Sequence, residues 1–239
     1  YQFFDKPLVV LVNKFSASAS EILAGAIQDY NRGIVVGTDT FGKGTVQKVD
    51  MLSAGQLKFT ESKFYRVSGS STQNKGVTPD IEIPVSFDVE EIGESKLDRA
   101  LEHDTIPTAY YRNFNRVSSH LDKLNEKSST RIDNSLFFNS MEIRKEWRKA
   151  NDITFLDLHI DERRKIKENI ENFVLSQENK LRKELQLPTF QSYQEFLDRD
   201  EDPDTLDVKF NVLNEAANIL SDLIEIKSGP LIASLERTG

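Results

Sequence analysis

The chain has 239 residues, of which 38% are hydrophobic and 29% are charged, and its net charge at pH 7 is −8. This composition is ordinary for a globular protein and supplies enough apolar side chains for a core. The acidic balance and the lack of a basic patch argue against nucleic acid as a partner. The absence of cysteine excludes thiol chemistry, zinc–thiolate sites and disulfides, and no apolar run approaches the ~18 residues of a membrane-spanning helix.

A strand, a helix and a second strand are predicted at the start of the chain. Residues 7–13 (PLVVLVN) form a continuous β-branched and leucine run, which is typical of a strand buried on both faces. Apolar residues at 22, 23, 26, 27 and 30 form one helical stripe, and Gly33 is predicted to be the C′ residue that ends this helix. Residues 34–37 (IVVG) predict the second strand. Short connections favour a parallel crossover, which places functional groups at the carboxyl ends of the strands.

Ser18 lies at such a position, in the polar run SASAS between the first strand and the helix. A helix N-terminus offers free backbone N–H groups and the positive end of a dipole. If Ser18 Oγ attacks a carbonyl there, the amide of Ala19 can donate a hydrogen bond to the developing oxyanion. The alternative is structural, because Ser18-x-x-Glu21 also fits a capping box. The local pattern leaves both interpretations open.

Lys43 follows a glycine-rich turn. Residues 37–43 (GTDTFGK) resemble a phosphate-binding loop, but Gly44 stands where that loop needs a hydroxyl, and residues 45–49 are β-type. Because a phosphate-binding loop must open a helix, we do not expect a nucleotide here. The other alternative is a lysine exposed on the surface of a turn. We expect no metal or other cofactor, since no H-E-x-x-H or similar spacing occurs, and we interpret the three histidines (103, 120 and 159) as ordinary polar residues.

Three motifs in order resemble the C-terminal processing, or tail-specific, serine peptidases. They are SASASEI with Ser18, FGKGTVQ with Lys43 twenty-five residues later, and KFYRVSGSSTQNKGVTPDI from Lys63 to Ile81. The resemblance is close over about residues 1–85. The remainder is similar, more loosely, to the C-terminal region of the longer, tail-specific branch of that family.

The resemblance implies a Ser–Lys dyad that cleaves peptide bonds. Carried over by position, Ser18 is the nucleophile, Lys43 is the general base, Gln47 orients the lysine, and the Ala19 N–H steadies the oxyanion. A lysine acts as a base only when neutral, so the pKa of its amine must fall from about 10.4 towards neutrality. Gln47 is uncharged and would hold the amine without opposing that fall, and in a strand its even spacing from Lys43 would put both side chains on one face.

The front part continues with strands and loops. Strands are predicted over residues 45–50 and 57–67 with Gly55 at the turn between them, and residues 69–74 form a polar loop. The resemblance implies that this loop packs near the active site. Gly76 and Pro79 predict a turn, and residues 81–84 (IEIP) after it predict a short final strand or edge segment.

A shift in composition marks a domain boundary. Residues 1–85 have a net charge of +1 and the rest of the chain has −9, and helical periodicity replaces strand patterns after the boundary. We therefore predict two domains, 1–85 as the C-terminal part of a Ser–Lys peptidase core and 86–239 as a helical domain. Helices are predicted at residues 95–102, 117–127, 131–148, 162–187, 191–197 and 206–226. Trp147 is predicted to be a buried anchor between helices, with a partner-docking role as the alternative.

The predicted fold class is α/β, a partial crotonase/ClpP-like αβ peptidase core followed by an all-α domain. The first residue is Tyr and no signal peptide is visible, so we expect a C-terminal piece of a longer protein, with little activity by itself. The resemblance implies that a PDZ domain and the rest of the core lie upstream. It also implies cell-envelope substrates with nonpolar C-termini, a periplasmic location and a lipoprotein adaptor as partner. The alternative function is a non-enzymatic helical docking module on an inert scaffold.

Overall fold

The computed structural model describes residues 4–87, 91–151, 158–200 and 203–228. Its strands are β1 (Val9–Val12), β2 (Ile34–Gly37), β3 (Thr45–Leu52), β4 (Gly55–Lys63) and β5 (Ile81–Glu82). Its α-helices are α1 (Ala19–Asp29), α2 (Leu121–Asp133), α3 (Leu136–Ala150), α4 (Ile160–Glu184), α5 (Tyr193–Leu197) and α6 (Val208–Ser228). The predicted class is confirmed: a mixed sheet-and-helix part is followed by helices.

A parallel sheet forms the front of the chain. The strand order is β1–β2–β5, and β1 pairs with β2 from Val9 opposite Ile34 to Val12 opposite Gly37. The side chains of β2 are fully buried, as its unbroken apolar run predicts. Helix α1 connects β1 to β2, so the predicted β–α–β crossover is confirmed. The predicted stripe was wrong in part: Ile22 and Leu23 are exposed, and the residues 26, 27 and 30 are half-buried, whereas the buried face carries Glu21, Ala24 and Gly25. The hydrophobic core between α1 and the sheet contains Val12, Ala24, Val35 and Val77.

Helix α1 ends at an asparagine rather than at the predicted glycine. Asn31 has φ 50° and takes the left-handed C′ position. The N–H of Asn31 donates to the carbonyl of Gln28, and the N–H of Arg32 donates to the carbonyl of Ile27, both at 2.9 Å, which is the Schellman pattern. The prediction of Gly33 was wrong because Asn also tolerates this conformation, and Gly33 is needed for space: a Cβ there would lie 2.7 Å from the Leu8 carbonyl oxygen.

Strands β3 and β4 form an antiparallel hairpin with a two-residue loop, Ser53–Ala54. Gly55 after the loop has φ 101°, which confirms its predicted place in the turn. The register shifts between Val46 and Gln47, so the alternation of side chains is broken at that point.

Beyond β5, residues 102–117 form an extended segment, here called the strap. The predicted helix at residues 95–102 was wrong, because only a single 3₁₀ turn at Glu94–Lys96 forms there. The strap instead runs along the loop after β4 and reaches the end of α1. Its backbone bonds are Ser71 N to Asp104 O (3.2 Å), Ile106 N to Gly69 O (2.8 Å), Ala109 N to Val67 O (2.9 Å), Phe114 N to Tyr30 O (2.8 Å) and Arg116 N to Asn31 O (3.1 Å).

An ion pair fixes the same loop to α1. Arg66 donates to both carboxylate oxygens of Asp29, from Nε at 2.9 Å and from a terminal nitrogen at 2.5 Å, and both side chains are mostly buried. This is the bidentate geometry that makes arginine–carboxylate pairs strong. Ser68 Oγ adds a third hydrogen bond to Asp29 at 3.2 Å.

The chain divides into two compact units. Unit 1 contains residues 1–83, 89–129 and 214–239, and unit 2 contains residues 84–88 and 130–213. Unit 1 thus includes the sheet, the strap, most of α2 and the last part of α6. Within it, the buried carboxylate of Glu215 on α6 accepts a hydrogen bond from Ser128 Oγ on α2 at 2.8 Å. These units are defined by contacts within the folded chain, whereas the predicted boundary at 85/86 separates two domains along the sequence. That boundary stays a prediction.

Unit 2 is held by side chains from α3, α4 and α5. Trp147 stacks on Phe173 with ring centroids 4.1 Å apart and planes 8° apart, so the half-buried tryptophan contacts a neighbouring helix, as the anchor interpretation expects. The buried Glu178 accepts hydrogen bonds from Arg182 at 2.8 Å and from Arg144 at 3.0 Å. Among the described residues, no helix is both long and apolar enough to cross a membrane. The last helix, predicted over residues 206–226, is α6 at Val208–Ser228.

The end of α1 gives a stability prediction. The side-chain oxygen of Asn31 accepts hydrogen bonds from the N–H groups of Val117 (2.8 Å) and Ser118 (3.2 Å). Asn31→Ala removes that acceptor and also places alanine in the left-handed conformation, which alanine adopts only at a cost. We therefore expect the free energy of unfolding to fall by about 2–4 kcal/mol. Asn31→Gly removes only the acceptor and should lose roughly 1 kcal/mol less. Urea unfolding of both variants measures this, and equal losses would contradict a backbone contribution.

The pKa values of two aspartates in unit 1 are shifted in opposite directions. Burial raises the pKa of the Asp80 carboxyl, although the hydrogen bonds from Val35 N–H and Gln28 oppose the shift. A hydrogen bond from Lys63 lowers the pKa of Asp104. The unfolded pKa of aspartate is about 3.9. We therefore expect carboxyl ¹³C NMR to give a midpoint above that value for Asp80 and below it for Asp104.

The signs of the two stability contributions follow from these shifts. As pH falls through the folded pKa of Asp80, the contribution of Asp80 to stability increases, because the folded state binds the proton more tightly than the unfolded chain does. The contribution of Asp104 is present above the unfolded pKa and is lost as pH falls through its lower folded pKa. Midpoints displaced in the same direction would contradict the assignment of burial to one carboxyl and pairing to the other.

Candidate active site

Ser18 lies where β1 turns into α1, at the carboxyl end of a strand of the parallel sheet. It is the N-cap residue of α1, with φ 56° and ψ −111°. A non-glycine residue in this region costs about 1–3 kcal/mol and persists only where the surroundings enforce it. A serine on a strained strand-to-helix turn is the backbone arrangement that presents nucleophiles in hydrolases of other folds. The structure thus places Ser18 in a conformation that a simple capping residue does not need, since N-caps normally have β-region dihedrals.

The capping interpretation of Ser18 is supported through its backbone rather than its side chain. The Glu21 carboxylate accepts the Ser18 N–H at 2.8 Å, and Ser18 Oγ makes no cap hydrogen bond to the described residues at the start of α1. This bond uses the backbone of Ser18. Capping and nucleophilic roles are therefore compatible at this position.

Glu21 connects the serine turn to the lysine loop. Its side chain is fully buried. Oε2 accepts the N–H groups of Ser18 (2.8 Å) and Lys43 (2.9 Å), so the two amide nitrogens bind one oxygen atom. Oε1 accepts Thr40 Oγ1 at 2.5 Å and the Gly42 N–H at 2.7 Å. A carboxylate with four donors has all its lone-pair directions used.

Sequence reasoning assigned Glu21 only to the helix cap and did not single out Thr40. The Ser-x-x-Glu spacing shows the local bond, but three of the four donors come from residues about twenty positions later, for which the sequence gives no signal. Thr40 Oγ1 also accepts the Val77 N–H at 2.7 Å. The network thus extends from the serine turn to the segment before β5.

Lys43 lies between two glycines that pack against the loop at residues 69–74. The Gly44 N–H donates to the buried Gln73 side chain at 2.9 Å. Gly42 has φ 94°, and a Cβ there would lie 2.9 Å from the Asn74 backbone. The loop at residues 69–74 therefore packs against the turn that carries Lys43. The half-buried Lys43 side chain donates from Nζ to the Thr45 carbonyl at 2.8 Å, and no carboxylate pairs with it among the described residues.

Gln47 lies on β3 opposite Thr60, with an exposed side chain. No hydrogen bond joins it to Lys43 in the part of the chain that the structure describes. The even-spacing argument does not apply, because Lys43 precedes β3 and the register shifts just before Gln47. Its orienting role stays a prediction.

Ala19 is the first residue of α1, and its N–H donates no hydrogen bond to any described residue. This is the free amide that a helix N-terminus offers. The strand β3 after Lys43 confirms the predicted β-type context, which a phosphate-binding loop does not have. Within the described residues, no group of three or more His, Cys, Asp or Glu side chains is arranged to hold a metal ion.

The buried carboxylate gives a prediction for Glu21→Gln. An amide offers one oxygen in place of two and adds donors, so at least two of the four groups lose their acceptor. At about 1–3 kcal/mol for each buried unsatisfied group, the free energy of unfolding should fall by roughly 2–5 kcal/mol. Glu168→Gln on the exposed surface of α4 is the matched control and should change it by less than about 0.5 kcal/mol. Similar urea midpoints for the two variants would contradict the role of Glu21.

Comparison with known proteins gives two adjoining matches. Residues 1–83 match Peptidase family S41, and residues 87–225 match the C-terminal domain of tail specific protease. Over 137 residues the chain is 49% identical to the tail-specific protease of Haemophilus influenzae, covering 52% of this chain and 20% of that protein. Over 101 residues it is 48% identical to the carboxy-terminal-processing protease of Bartonella bacilliformis, covering 39% of this chain and 23% of that protein.

A solved structure is also similar in sequence. The photosystem II D1 C-terminal processing protease is 46% identical over 32% of this chain and 20% of its own, with a TM-score of 0.31. The chain therefore spans about a fifth of the length of the relatives that it matches.

Proposed function

Because the chain belongs to peptidase family S41, in its tail-specific protease branch, we propose that it carries the Ser–Lys dyad of a C-terminal processing serine endopeptidase. Membership of the family supports a peptidase. The dyad and the substrates are our proposal. The observation that carries it is the shared Glu21 oxygen, which holds the backbones of Ser18 and Lys43 together beside a free helix N-terminus.

The proposed reaction is acyl transfer. Ser18 Oγ attacks the scissile carbonyl carbon while its proton passes to the neutral amine of Lys43. The negative charge that develops on the carbonyl oxygen accepts the Ala19 N–H. When the C–N bond breaks, the lysine ammonium returns its proton to the leaving amine. Water then adds to the ester carbonyl while Lys43 takes its proton. As the C–O bond to the serine breaks, the lysine ammonium gives that proton to Ser18 Oγ, which restores the hydroxyl and the neutral amine and releases the new carboxyl end.

Lys43 must leave its present hydrogen bond to act. Its ammonium now donates to the Thr45 carbonyl, and a neutral amine needs its lone pair directed at Ser18 Oγ. Gln47 is proposed to hold the amine in that state from β3. Among the described residues no carboxylate pairs with Nζ, which supports a base, since a paired carboxylate would favour the protonated form.

The proposed substrates are proteins with nonpolar C-terminal tails in the cell envelope, and the proposed location is the periplasm. A lipoprotein adaptor is proposed as a partner, and substrate C-termini are proposed to be captured by a PDZ domain in the longer protein. We expect the 239-residue chain alone to have little or no activity. The relatives are about five times longer than the region they share with it, and its match to the peptidase family covers only residues 1–83.

The test uses the full-length protein that contains this chain. Ser18→Ala and Lys43→Ala should each lower kcat/KM for a substrate with a free nonpolar C-terminus by roughly 10³-fold or more. Lys43→Arg keeps the positive charge but cannot supply a base, so it should be as inactive as Lys43→Ala. Gln47→Ala should cause a smaller loss, and the exposed Lys75→Ala is the control.

These variants also separate the two functions considered. Folded Ser18→Ala or Lys43→Ala protein that cleaves at the unmodified rate would defeat the peptidase mechanism and leave the helical docking module as the function. Efficient cleavage of such a substrate by residues 1–239 alone would show that the expected dependence on the longer protein is wrong.

A further inference from the structure

A pocket lies where the strap meets the end of α1, within unit 1. Its volume is about 500 Å³, in the range of small-ligand sites. It is lined by Tyr30, Tyr110, Tyr111, Arg112, Asn113 and Phe114. Tyr30 is the C-cap residue of α1, and the other five are consecutive in the strap. The backbone bond from the Phe114 N–H to the Tyr30 carbonyl at 2.8 Å joins the two sides.

The polar groups of this pocket favour an anion. None of the lining residues is acidic, although the chain as a whole carries a net charge of −8. Arg112 is exposed and forms no ion pair among the described residues. The Asn113 side-chain oxygen already accepts the Asn115 N–H at 2.6 Å, which leaves its NH₂ group as a donor. A guanidinium with a neighbouring amide donor is suited to a carboxylate.

The remaining walls favour an apolar body behind that anion. Tyr30 contacts Tyr111 edge to face with centroids 5.5 Å apart, and Phe114 at 6.2 Å. These contacts fix rings that a ligand side chain can pack against. Tyr110 is fully exposed and Phe114 is half exposed, so the end of a long molecule can enter while its body stays in solvent.

We propose that this pocket, called the strap pocket, binds the free C-terminus of a polypeptide whose last side chain is apolar. The donors hold the terminal carboxylate and the aromatic rings hold the terminal side chain. The choice of a peptide rather than another apolar anion rests on the proposed function, because a C-terminal processing peptidase meets substrate tails and releases new carboxyl ends. The strap pocket gives it a place for such an end on the surface of the core.

Binding is measured on the 239-residue chain carrying Ser18→Ala, by fluorescence anisotropy of N-terminally labelled decapeptides. A peptide ending in Leu-Phe with a free carboxylate should bind. The same peptide with a C-terminal amide should bind roughly tenfold or more weakly, since it loses the charge-assisted hydrogen bonds. A free-acid peptide ending in Ser-Asn should also bind more weakly because it loses the contact with the rings.

Variants locate the binding site. Arg112→Gln should weaken binding of the free acid by roughly tenfold and abolish the preference for acid over amide. The exposed Tyr110→Ser should weaken binding without loss of the fold. Arg163→Gln, the same chemical change on α4 in unit 2, is the matched control and should leave binding unchanged.

Several outcomes would overturn the inference. The first is equal affinity for the free-acid and the amide peptide, and the second is an Arg112→Gln variant that binds the free acid as tightly as the control variant does. The third is displacement of the peptide by laurate with an affinity higher than that of the peptide. The last would identify an acyl-carboxylate site. None of these outcomes depends on catalysis. Loss of the Ser–Lys mechanism would therefore appear in the cleavage assays alone, and failure of the strap pocket in the binding assays alone.

Discussion

A buried carboxylate with four donors determines the geometry of the candidate site. Burying a carboxyl group is costly unless its oxygens are hydrogen-bonded, and the four donors to the fully buried Glu21 side chain satisfy that requirement. The donors come from two segments that the sheet only brings near each other, the serine turn after β1 and the glycine loop after β2. Their positions are thereby fixed through backbone atoms, which leaves the side chains of Ser18 and Lys43 available for chemistry.

The strain at Ser18 becomes understandable in this setting. A positive φ at a serine costs free energy, and the Glu21 bond to its N–H opposes relaxation to an ordinary cap. On the other side, the backbone of the lysine loop approaches residues 73–74 so closely that Gly42 leaves no room for a Cβ. One buried network thus holds a strained serine and a close backbone approach that only glycine permits.

The sequence was sufficient where one local rule dominated. The strands β1 and β2 and the turn at Gly55 follow directly from the apolar runs and glycine chemistry, whereas the buried face of α1 differs from the predicted stripe. Long amphipathic helices such as α4 were also predicted, with ends shifted by two or three residues. For the candidate site, Ser18 and Lys43 were identified by the resemblance of their motifs.

Prediction failed where tertiary contacts decided the structure. The stretch at residues 95–102 has a helical composition, but the chain instead continues into the strap, whose backbone groups bond the loop after β4. Asn31 replaces Gly33 at the helix end because its side chain also binds the N–H groups of residues 117 and 118, far along the chain. Likewise, no pattern within the sequence could show that Glu21 accepts donors from the lysine loop.

The strap also changes how the helical part is understood. By composition, residues after the predicted boundary form an acidic helical domain, yet residues 89–129 belong to the same compact unit as the sheet. Hydrogen bonds from the strap to Tyr30 and Asn31 hold the C-terminal end of α1, and Ser18 lies at the other end of that helix. A helix is stiff over eleven residues, so fixing one end restricts the other. The early part of the second predicted domain therefore supports the helix that carries Ser18 at its N-terminal end.

The charged groups around Lys43 bear on its proposed role as a base. A carboxylate is present beside the lysine loop, which at first sight disfavours a base. Glu21, however, binds the Lys43 backbone N–H rather than the amine, and its lone pairs are occupied by four donors. The amine contacts the neutral carbonyl of Thr45 instead. One buried acid can therefore hold both members of the proposed dyad without forming an ion pair with the lysine, which is the arrangement that a lysine base requires.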